Sequence, residues 1–324
     1  MPLMLESDVL ALVLGSAVPL ISLMALMNDS SRDDAKMGQQ SAEQELESNW
    51  ANVPTQTLSA GGVEFAYREL GKQSGGTPVV FVGHLAAVLD NWDPRIVDGI
   101  AAKRHVVAFD NRGVGASSGS PSSSIEKMAD DAITFIKAMS YHQVDIFGFS
   151  MGGMIAQEIV LKAPQLVGKI ILAGTGPAGG EGISAVSKVA NWDLVRGFFA
   201  GHDPKQFLFF TRTPNGIDAG KEFLARLKER SKNRDKEIKL SAYMAQLHAL
   251  REWGRKEADD LSVIKQPVLV VNGDSDRLVP TSNSYDLARR LPNSKLIIYP
   301  DAGHGGIFQF HTDFVPKALE FLAQ

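Results

Sequence analysis

The chain has 324 residues, of which 44% are hydrophobic and 22% charged, with a formal net charge of −4. This is the composition of a soluble globular protein with one large or two smaller domains, and it gives no support to nucleic-acid binding. Because cysteine is absent, disulfides, thiolate catalysis and cysteine–zinc sites are excluded. The absence also fits a reducing compartment, so a cytoplasmic protein is expected.

The first 52 residues differ from the rest. The run from Val9 to Met27 is almost wholly apolar and reaches the lower end of the length that can span a bilayer as a helix. Glu6 and Asp8 precede it without any Lys or Arg, which argues against a secretory signal. Three interpretations stay open: a membrane anchor, an amphipathic or docking helix, and translated upstream sequence with the start at Met27 or Met37. The polar residues up to 52 are expected to form a flexible linker.

A regular hydrophobic pattern begins after residue 53, and after an opening hairpin its strands alternate with helices. Predicted strands are Thr55–Ala60, Val63–Leu70, Pro78–Val82, His105–Phe109, Val144–Phe149 and Lys169–Ala173. Predicted helices are Asn91–Ala102, Ser122–Ser140 and the segment ending at Lys162. This alternation predicts a largely parallel sheet with helices on both faces.

The alternation stops in residues 177–260, which are predicted to form a helical cap between two core segments, 53–176 and 261–324. Trp192, Phe210 and Tyr243 are the candidate substrate contacts among its many aromatic residues. The charged run Lys228–Lys239 is expected to be a solvated helix face. The alternation then returns with predicted strands Pro267–Val271 and Lys295–Tyr299 and predicted helices Ser282–Leu291 and Asp313–Leu322.

A G-x-S-x-G pattern, Gly148-Phe-Ser-Met-Gly152, lies between a predicted buried strand and a predicted helix. In this context the pattern is typical of a nucleophile elbow, a sharp turn that lifts a serine hydroxyl above the edge of a sheet. Strand and helix pass so closely there that glycine is needed on both sides of the serine. Ser150 is therefore the candidate nucleophile.

A serine nucleophile needs a base and an acid that orients the base, and after such an elbow they follow in the order acid, then histidine. Of the seven histidines, His304 and His311 follow the last predicted strand. His304 lies in a glycine-dense loop and is the candidate base. Asp274 and Asp276 both follow the preceding strand, and we favour Asp276 as the acid with Asp274 as a turn former.

Two backbone N–H groups are expected to stabilise an oxyanion. One belongs to Met151, directly after the nucleophile, and the other to Leu85, in the loop after the strand Pro78–Val82. His84 in the same loop is expected to brace the loop rather than to bind a metal, because no second ligand lies at a suitable spacing. The remaining histidines, His105, His142, His202 and His248, are expected to be structural or on the surface.

From Thr55 to Gln324 the chain resembles the α/β-hydrolase family, in its cap-bearing serine esterase, lactonase and haloperoxidase-like branch. The resemblance rests on four motifs at predicted strand ends: Phe109-Asp-Asn-Arg-Gly-Val-Gly-Ala-Ser117, Gly148-Phe-Ser-Met-Gly-Gly153, Gly273-Asp-Ser-Asp-Arg-Leu-Val-Pro280 and Ala302-Gly-His304. It implies an α/β fold with a mostly parallel eight-stranded sheet, and the roles given above for Ser150, Asp276 and His304. One departure is that the family's usual His-Gly order is reversed here, to Gly83-His84.

The expected function is hydrolysis of an ester or lactone of a small to medium, partly apolar substrate through an acyl-enzyme, without a metal or organic cofactor. Alternatives that stay open are a small-molecule receptor or inactive relative, and a related acyl-transfer, perhydrolase or carbon–carbon hydrolase activity. The expected partner is a small-molecule substrate, with no nucleic acid. Membrane contact is expected only through residues 9–27, and the oligomeric state stays open.

Overall fold

An eight-stranded sheet runs through the protein. Its strands are β1 (Gln56–Ala60), β2 (Val63–Leu70), β3 (Val79–Val82), β4 (Val106–Phe109), β5 (Val144–Phe149), β6 (Val167–Ala173), β7 (Val268–Gly273) and β8 (Ser294–Tyr299). They lie in the order β1-β2-β4-β3-β5-β6-β7-β8. β2 pairs antiparallel with β1 and β4, and all other pairs are parallel. The expected mostly parallel eight-stranded sheet is confirmed.

The structure is a computed structural model that describes residues 48–201 and 203–324. Residues 49–324 form one compact unit. The apolar run from Val9 to Met27 and His202 lie outside the described residues. Within the described ranges, no helix combines the length and the apolar character needed to cross a bilayer.

Ten α-helices occur in the described part of the chain. They are α1 (Pro94–Ala101), α2 (Ile125–Ala138), α3 (Met151–Lys162), α4 (Val186–Ala200), α5 (Lys205–Phe209), α6 (Pro214–Arg226), α7 (Leu240–Trp253), α8 (Ser282–Arg290), α9 (Gly306–Gln309) and α10 (His311–Ala323). The local sequence determines where several of these helices begin. The Asp93 side chain caps α1 by accepting from Arg95 N at 3.0 Å, and Pro94 occupies the first turn.

The central strands are buried on both faces, and their side chains divide by alternation between two cores. In β3, Val80 and Val82 belong to the core that includes Phe135 of α2 and Ile155 of α3. Val79 and Phe81 belong to the opposite core, with Ile96 of α1 and Phe314 of α10. Helices therefore cover both faces of the sheet, as the alternation of elements predicts.

The stretch between β6 and β7 differs in one respect from what the sequence predicts. It contains helices α4 to α7 and, among its described residues, no strand. The predicted helix over Lys228–Lys239 is wrong, because these residues are non-helical; most of them are exposed, as expected, but Arg230 is buried. The Arg230 guanidinium donates to Val53 O at 2.8 Å and lies 3.6 Å from Asp90 Oδ1. A buried carboxylate thus pairs with a charge that the sequence pattern assigned to solvent.

Candidate active site

Ser150 lies at the turn between β5 and α3 in a strained backbone conformation, with φ 57° and ψ −120°. Such positive φ values in non-glycine residues are rare and persist only where the surroundings enforce them. A Cβ atom at Gly148 would lie 2.5 Å from Gly152 O and 2.6 Å from Gly153 Cα. Side chains at the flanking positions would therefore collide, which is the steric reason for the glycines of the G-x-S-x-G pattern.

His304 and Asp276 meet in the interior although 28 residues separate them. His304 Nδ1 lies 2.7 Å from Asp276 Oδ2, and both side chains are completely buried. The other carboxylate oxygen, Oδ1, accepts from Leu278 N at 2.8 Å and from Val279 N at 3.0 Å. Because the ionised carboxylate only accepts hydrogen bonds, this arrangement assigns the imidazole proton to Nδ1.

The second ring nitrogen of His304, Nε2, is buried and has no hydrogen-bond partner in the described part of the chain. In the Nδ1–H tautomer Nε2 carries a lone pair, so it can take up a proton. The rings of Phe149 and Phe209 hold the imidazole, with centroid distances of 5.1 and 5.5 Å. The neighbouring Asp274 makes different contacts, accepting from Asp301 N at 3.1 Å and from Ser275 Oγ at 2.8 Å.

Ser150 and His304 share the wall of one cavity, with a volume of about 460 Å³. Leu85 contributes to the same wall, and Met151 follows Ser150 as the first residue of α3. The wall combines residues of the sheet edge with residues from the inserted helices. It consists of His84, Leu85, Ala86, Val88, Asp90, Asn91, Ser150, Ala190, Asp203, Pro204, Lys205, Leu208, Phe209, Arg234, Asp235, Glu237, Ile238, Tyr243, Leu278 and His304.

The family model for the alpha/beta hydrolase fold matches residues 77–310, a range that contains all of these wall residues. The chain belongs to the α/β-hydrolase family. A solved alpha/beta hydrolase fold protein from Chitinophaga pinensis is 35% identical, with a TM-score of 0.80, and the match covers 85% of this chain and 99% of that one.

One further relative and one further solved structure are similar to this chain. The 2-hydroxy-6-oxo-6-(2'-aminophenyl)hexa-2,4-dienoic acid hydrolase of Metapseudomonas resinovorans is 29% identical over 293 residues, covering 87% of this chain and 96% of that protein. The structure of Est816, described as an N-acyl homoserine lactone degrading enzyme, has a TM-score of 0.67 at 24% identity, covering 82% of this chain and 100% of its own. The latter likeness concerns the fold alone. Together with the family match, the relatives support a hydrolase.

The three candidate substrate contacts lie in different places. Tyr243 lines the cavity, and its hydroxyl donates to Asn191 Oδ1 at 2.9 Å. Phe210 is buried against Phe223, with ring centroids 5.5 Å apart, and is not part of the cavity wall. Trp192 is 67% exposed and also lies outside that wall. A run of aromatic residues in the sequence marks the inserted helices without showing which rings face the cavity.

The loop after β3 is where the α/β-hydrolase pattern changes, because His84 stands after Gly83. His84 Nδ1 lies 2.7 Å from Leu85 O, so Nδ1 carries the proton and donates it. Burial lowers the pKa of His84 to about 3, which keeps the imidazole neutral at pH 7. Gln246 of α7 holds Ala86, the residue after Leu85, because its Oε1 accepts a hydrogen bond from Ala86 N at 2.8 Å.

Charged groups gather at the side of the cavity where the loop after β3 meets the segment after α6. Asp110 Oδ1 and Asp235 Oδ2 both accept from Leu89 N, at 3.0 and 3.2 Å. Burial first, and the hydrogen-bonded Asp235 second, raise the pKa of Asp110 well above its usual value. Asp235 N in turn donates to Asp90 Oδ2 at 2.9 Å. These contacts join the two segments on one side of the cavity.

Proposed function

We propose that the protein is a serine hydrolase that cleaves a carboxylic ester or lactone through an acyl-enzyme, with Ser150 as nucleophile. The observation that carries the proposal is the buried 2.7 Å contact between His304 and Asp276, which leaves His304 Nε2 as a free base in the cavity wall that also contains Ser150. His105 also pairs with a carboxylate, that of Glu69 at 2.9 Å, but it does not share the cavity wall that contains Ser150, whereas His304 does.

Acylation begins when His304 Nε2 takes the proton of the Ser150 hydroxyl as its oxygen attacks the substrate carbonyl. The Asp276 carboxylate stabilises the imidazolium that forms, and the backbone N–H groups of Leu85 and Met151 donate to the developing oxyanion. The tetrahedral intermediate then collapses. His304 gives its proton to the leaving alkoxide, and the acyl group stays on Ser150.

Deacylation repeats the sequence with water. His304 Nε2 removes a proton from a water molecule as that water attacks the acyl-enzyme carbonyl, and the same N–H groups stabilise the second oxyanion. The proton returns to the Ser150 oxygen as the acid leaves. For a lactone the leaving alkoxide belongs to the same molecule, so hydrolysis releases one hydroxy acid.

The cavity supports a substrate of small to medium size. Its volume of about 460 Å³ lies in the range of ordinary ligand sites, and apolar residues such as Leu208, Phe209 and Ile238 contribute to its wall. We infer that residues 177–260 act as a cap over the sheet edge, since they supply Tyr243 and much of this wall. Of the three candidate contacts, Tyr243 is the one we retain.

Labelling with a fluorophosphonate probe, followed by peptide mapping, tests the nucleophile. We expect the adduct on the peptide that contains Ser150, and none on that peptide in Ser150→Ala. The control is Ser262→Ala, which removes an exposed serine and should label like the wild type. Adduct absent from the Ser150 peptide of the wild type would contradict an activated serine.

Turnover of p-nitrophenyl acetate, butyrate and octanoate, together with a γ-lactone, tests the reaction. The wild type should hydrolyse at least one member of the set, and Ser150→Ala should lose about 10³-fold or more in kcat. If Ser150→Ala kept the wild-type rate, hydrolysis would not depend on this serine. Labelling of Ser150 without turnover of any ester or lactone would instead point to a different acyl substrate.

A further inference from the structure

Of the two ring nitrogens of His84, one has a hydrogen-bond partner among the described residues and the other has none. Nδ1–H donates to Leu85 O, which is sufficient to brace the loop. Nε2 is buried, carries the lone pair of this tautomer and has no hydrogen-bond partner among the described residues. A buried acceptor without a donor costs free energy, and native proteins leave few of them.

His84 is poorly suited to be a second base. Its Nδ1–H faces a neutral carbonyl instead of a carboxylate, so nothing comparable to Asp276 would stabilise an imidazolium. Desolvation also keeps its pKa near 3, so that Nε2 remains an unprotonated acceptor throughout the neutral range. A neutral lone pair of this kind attracts an O–H or N–H group and repels a carboxylate.

The position of His84 connects this acceptor with the reacting carbonyl. His84 lines the same cavity as Ser150. It directly precedes Leu85, the proposed oxyanion donor, and its ring packs edge-on against Phe149, the residue before the nucleophile, at 5.4 Å between centroids. The side chain therefore lies in the cavity wall beside both the strand end that carries Ser150 and the loop that carries Leu85.

We propose that His84 is a substrate-recognition residue whose Nε2 accepts a hydrogen bond from a hydroxyl group on the acyl chain, so that the preferred substrates are esters or lactones of 2- or 3-hydroxy acids. The inference rests on the proposed hydrolase function and deepens it. A glycine at position 84 would provide no such hydrogen-bond acceptor. The reversed Gly83-His84 order thus sets substrate choice.

Four phenyl esters with the same leaving group test the inference: butyrate, 2-hydroxybutyrate, 3-hydroxybutyrate and 3-methoxybutyrate. For the wild type we expect kcat/KM of at least one hydroxy ester to exceed that of the butyrate by about 3- to 10-fold, the effect of one hydrogen bond. The methoxy ester has similar bulk and an acceptor but no donor, so it should show no such gain. Comparing ratios within one enzyme removes differences in the amount of folded protein.

Three variants assign the preference to the His84 acceptor. His84→Phe keeps a ring between Phe149 and Phe209 but lacks both the acceptor and the Nδ1–H of His84, so its ratio of hydroxy ester to butyrate should fall about 3- to 10-fold below that of the wild type. His84→Gln restores an acceptor and should keep a ratio between those of the wild type and His84→Phe. His142→Phe replaces an exposed histidine and should show the wild-type ratio.

The outcomes separate the two proposals. Hydrolysis of all four esters by the wild type without a preference for a hydroxy ester would overturn the role of His84 and leave the hydrolase function standing. The same conclusion follows if His84→Phe retains the wild-type ratio. Absence of both turnover and Ser150 labelling would overturn the hydrolase function and the role of His84 with it.

Discussion

The loop after β8 and the loop after β3 each place a histidine against the same two rings, Phe149 and Phe209. In both His304 and His84 the Nδ1 atom has a partner at 2.7 Å and Nε2 has none in the described structure. The difference lies in the partner of Nδ1. For His304 it is the carboxylate of Asp276, and for His84 it is the backbone oxygen of Leu85.

The partner of Nδ1 is a carboxylate for His304 and a neutral carbonyl for His84, and this difference gives two similar imidazoles different chemistry. A carboxylate stabilises a positive ring, which supports the proposed role of His304 as the base. Burial lowers the pKa of His84, and the neutral carbonyl of Leu85 offsets this only in part, so the ring stays neutral and its Nε2 can only accept a hydrogen bond. Burial and aromatic packing alone would not distinguish a base from a recognition residue in this cavity.

Removing the charge beside His304 should have the largest effect. In Asp276→Asn the amide oxygen can keep the contacts with Leu278 N and Val279 N, which turns the amide N–H towards Nδ1. Nδ1 must then accept, the ring proton moves to Nε2, and the base is lost. We expect kcat for p-nitrophenyl butyrate to fall by about 10³- to 10⁴-fold.

The matched control for that prediction is Asp274→Asn in the same loop. Asp274 contacts Asp301 N and Ser275 Oγ rather than the imidazole, so kcat should change by no more than about 3-fold, since the hydrogen bonds that it accepts are local. A fall of less than 10-fold in Asp276→Asn, or equal falls in both variants, would mean that the carboxylate does not set the tautomer of His304.

The depressed pKa of His84 predicts a pH dependence of stability. Its folded-state pKa is about 3, whereas the unfolded chain should have the ordinary value of about 6.5. Between these pH values the unfolded state binds the proton and the native state does not. The free energy of unfolding should therefore fall as pH drops from about 6.5 towards 3, with His84 contributing up to about 1.4 kcal/mol per pH unit.

Urea denaturation of the wild type, His84→Phe and His142→Phe at pH 7 and pH 4.5 measures this contribution. His84→Phe removes the titrating group, so it should lose less stability over this interval than the wild type. The exposed His142 should leave the loss unchanged when it is replaced. Equal losses of stability in all three proteins would show that His84 binds a proton equally in the native and unfolded states, so that its pKa is not lowered by folding.

Removing the hydrogen bond between Gln246 and the His84 loop should have the smallest of the predicted effects on kcat. Gln246→Leu removes the acceptor of Ala86 N, one residue after the proposed oxyanion donor Leu85. We expect kcat to fall about 3- to 10-fold and the free energy of unfolding by about 1 kcal/mol, because a half-buried N–H loses its partner. Esterase assays and urea denaturation measure the two effects.

Gln266→Leu provides the comparison for Gln246→Leu. Its amide donates to Pro164 O at 2.8 Å and is not part of the cavity wall, so this substitution should leave kcat unchanged. A loss of stability without a loss of kcat in Gln246→Leu would show that the position of Leu85 does not depend on the inserted helix.

The order of the elements and the elbow could be predicted from the sequence because both depend on local rules. Alternation of buried side chains marks the strands, and β1, β2 and β5 have nearly the predicted bounds. The glycines around Ser150 are required by a turn of five residues, which is contained in the motif itself. The structure also brings the predicted pair Asp276 and His304 within hydrogen-bonding distance.

The position of each side chain around the cavity could not be predicted in this way. The sequence named Trp192, Phe210 and Tyr243 together, yet only Tyr243 lines the cavity with Ser150. It also assigned Arg230 to solvent, whereas this side chain lies beside the buried Asp90. In both cases the outcome depends on packing between elements far apart in the chain, which hydrophobic and charge periodicity do not encode.

By itself the sequence determined the family, the strand that carries Ser150 and the chain order of serine, aspartate and histidine, because short motifs fix local backbone geometry. The tertiary structure alone decided what the two imidazoles can do. His304 faces a carboxylate from another loop, while His84 faces the carbonyl of its own neighbour. A histidine's protonation depends on its surroundings in space, and these form only when the loops at the sheet edge meet the inserted helices.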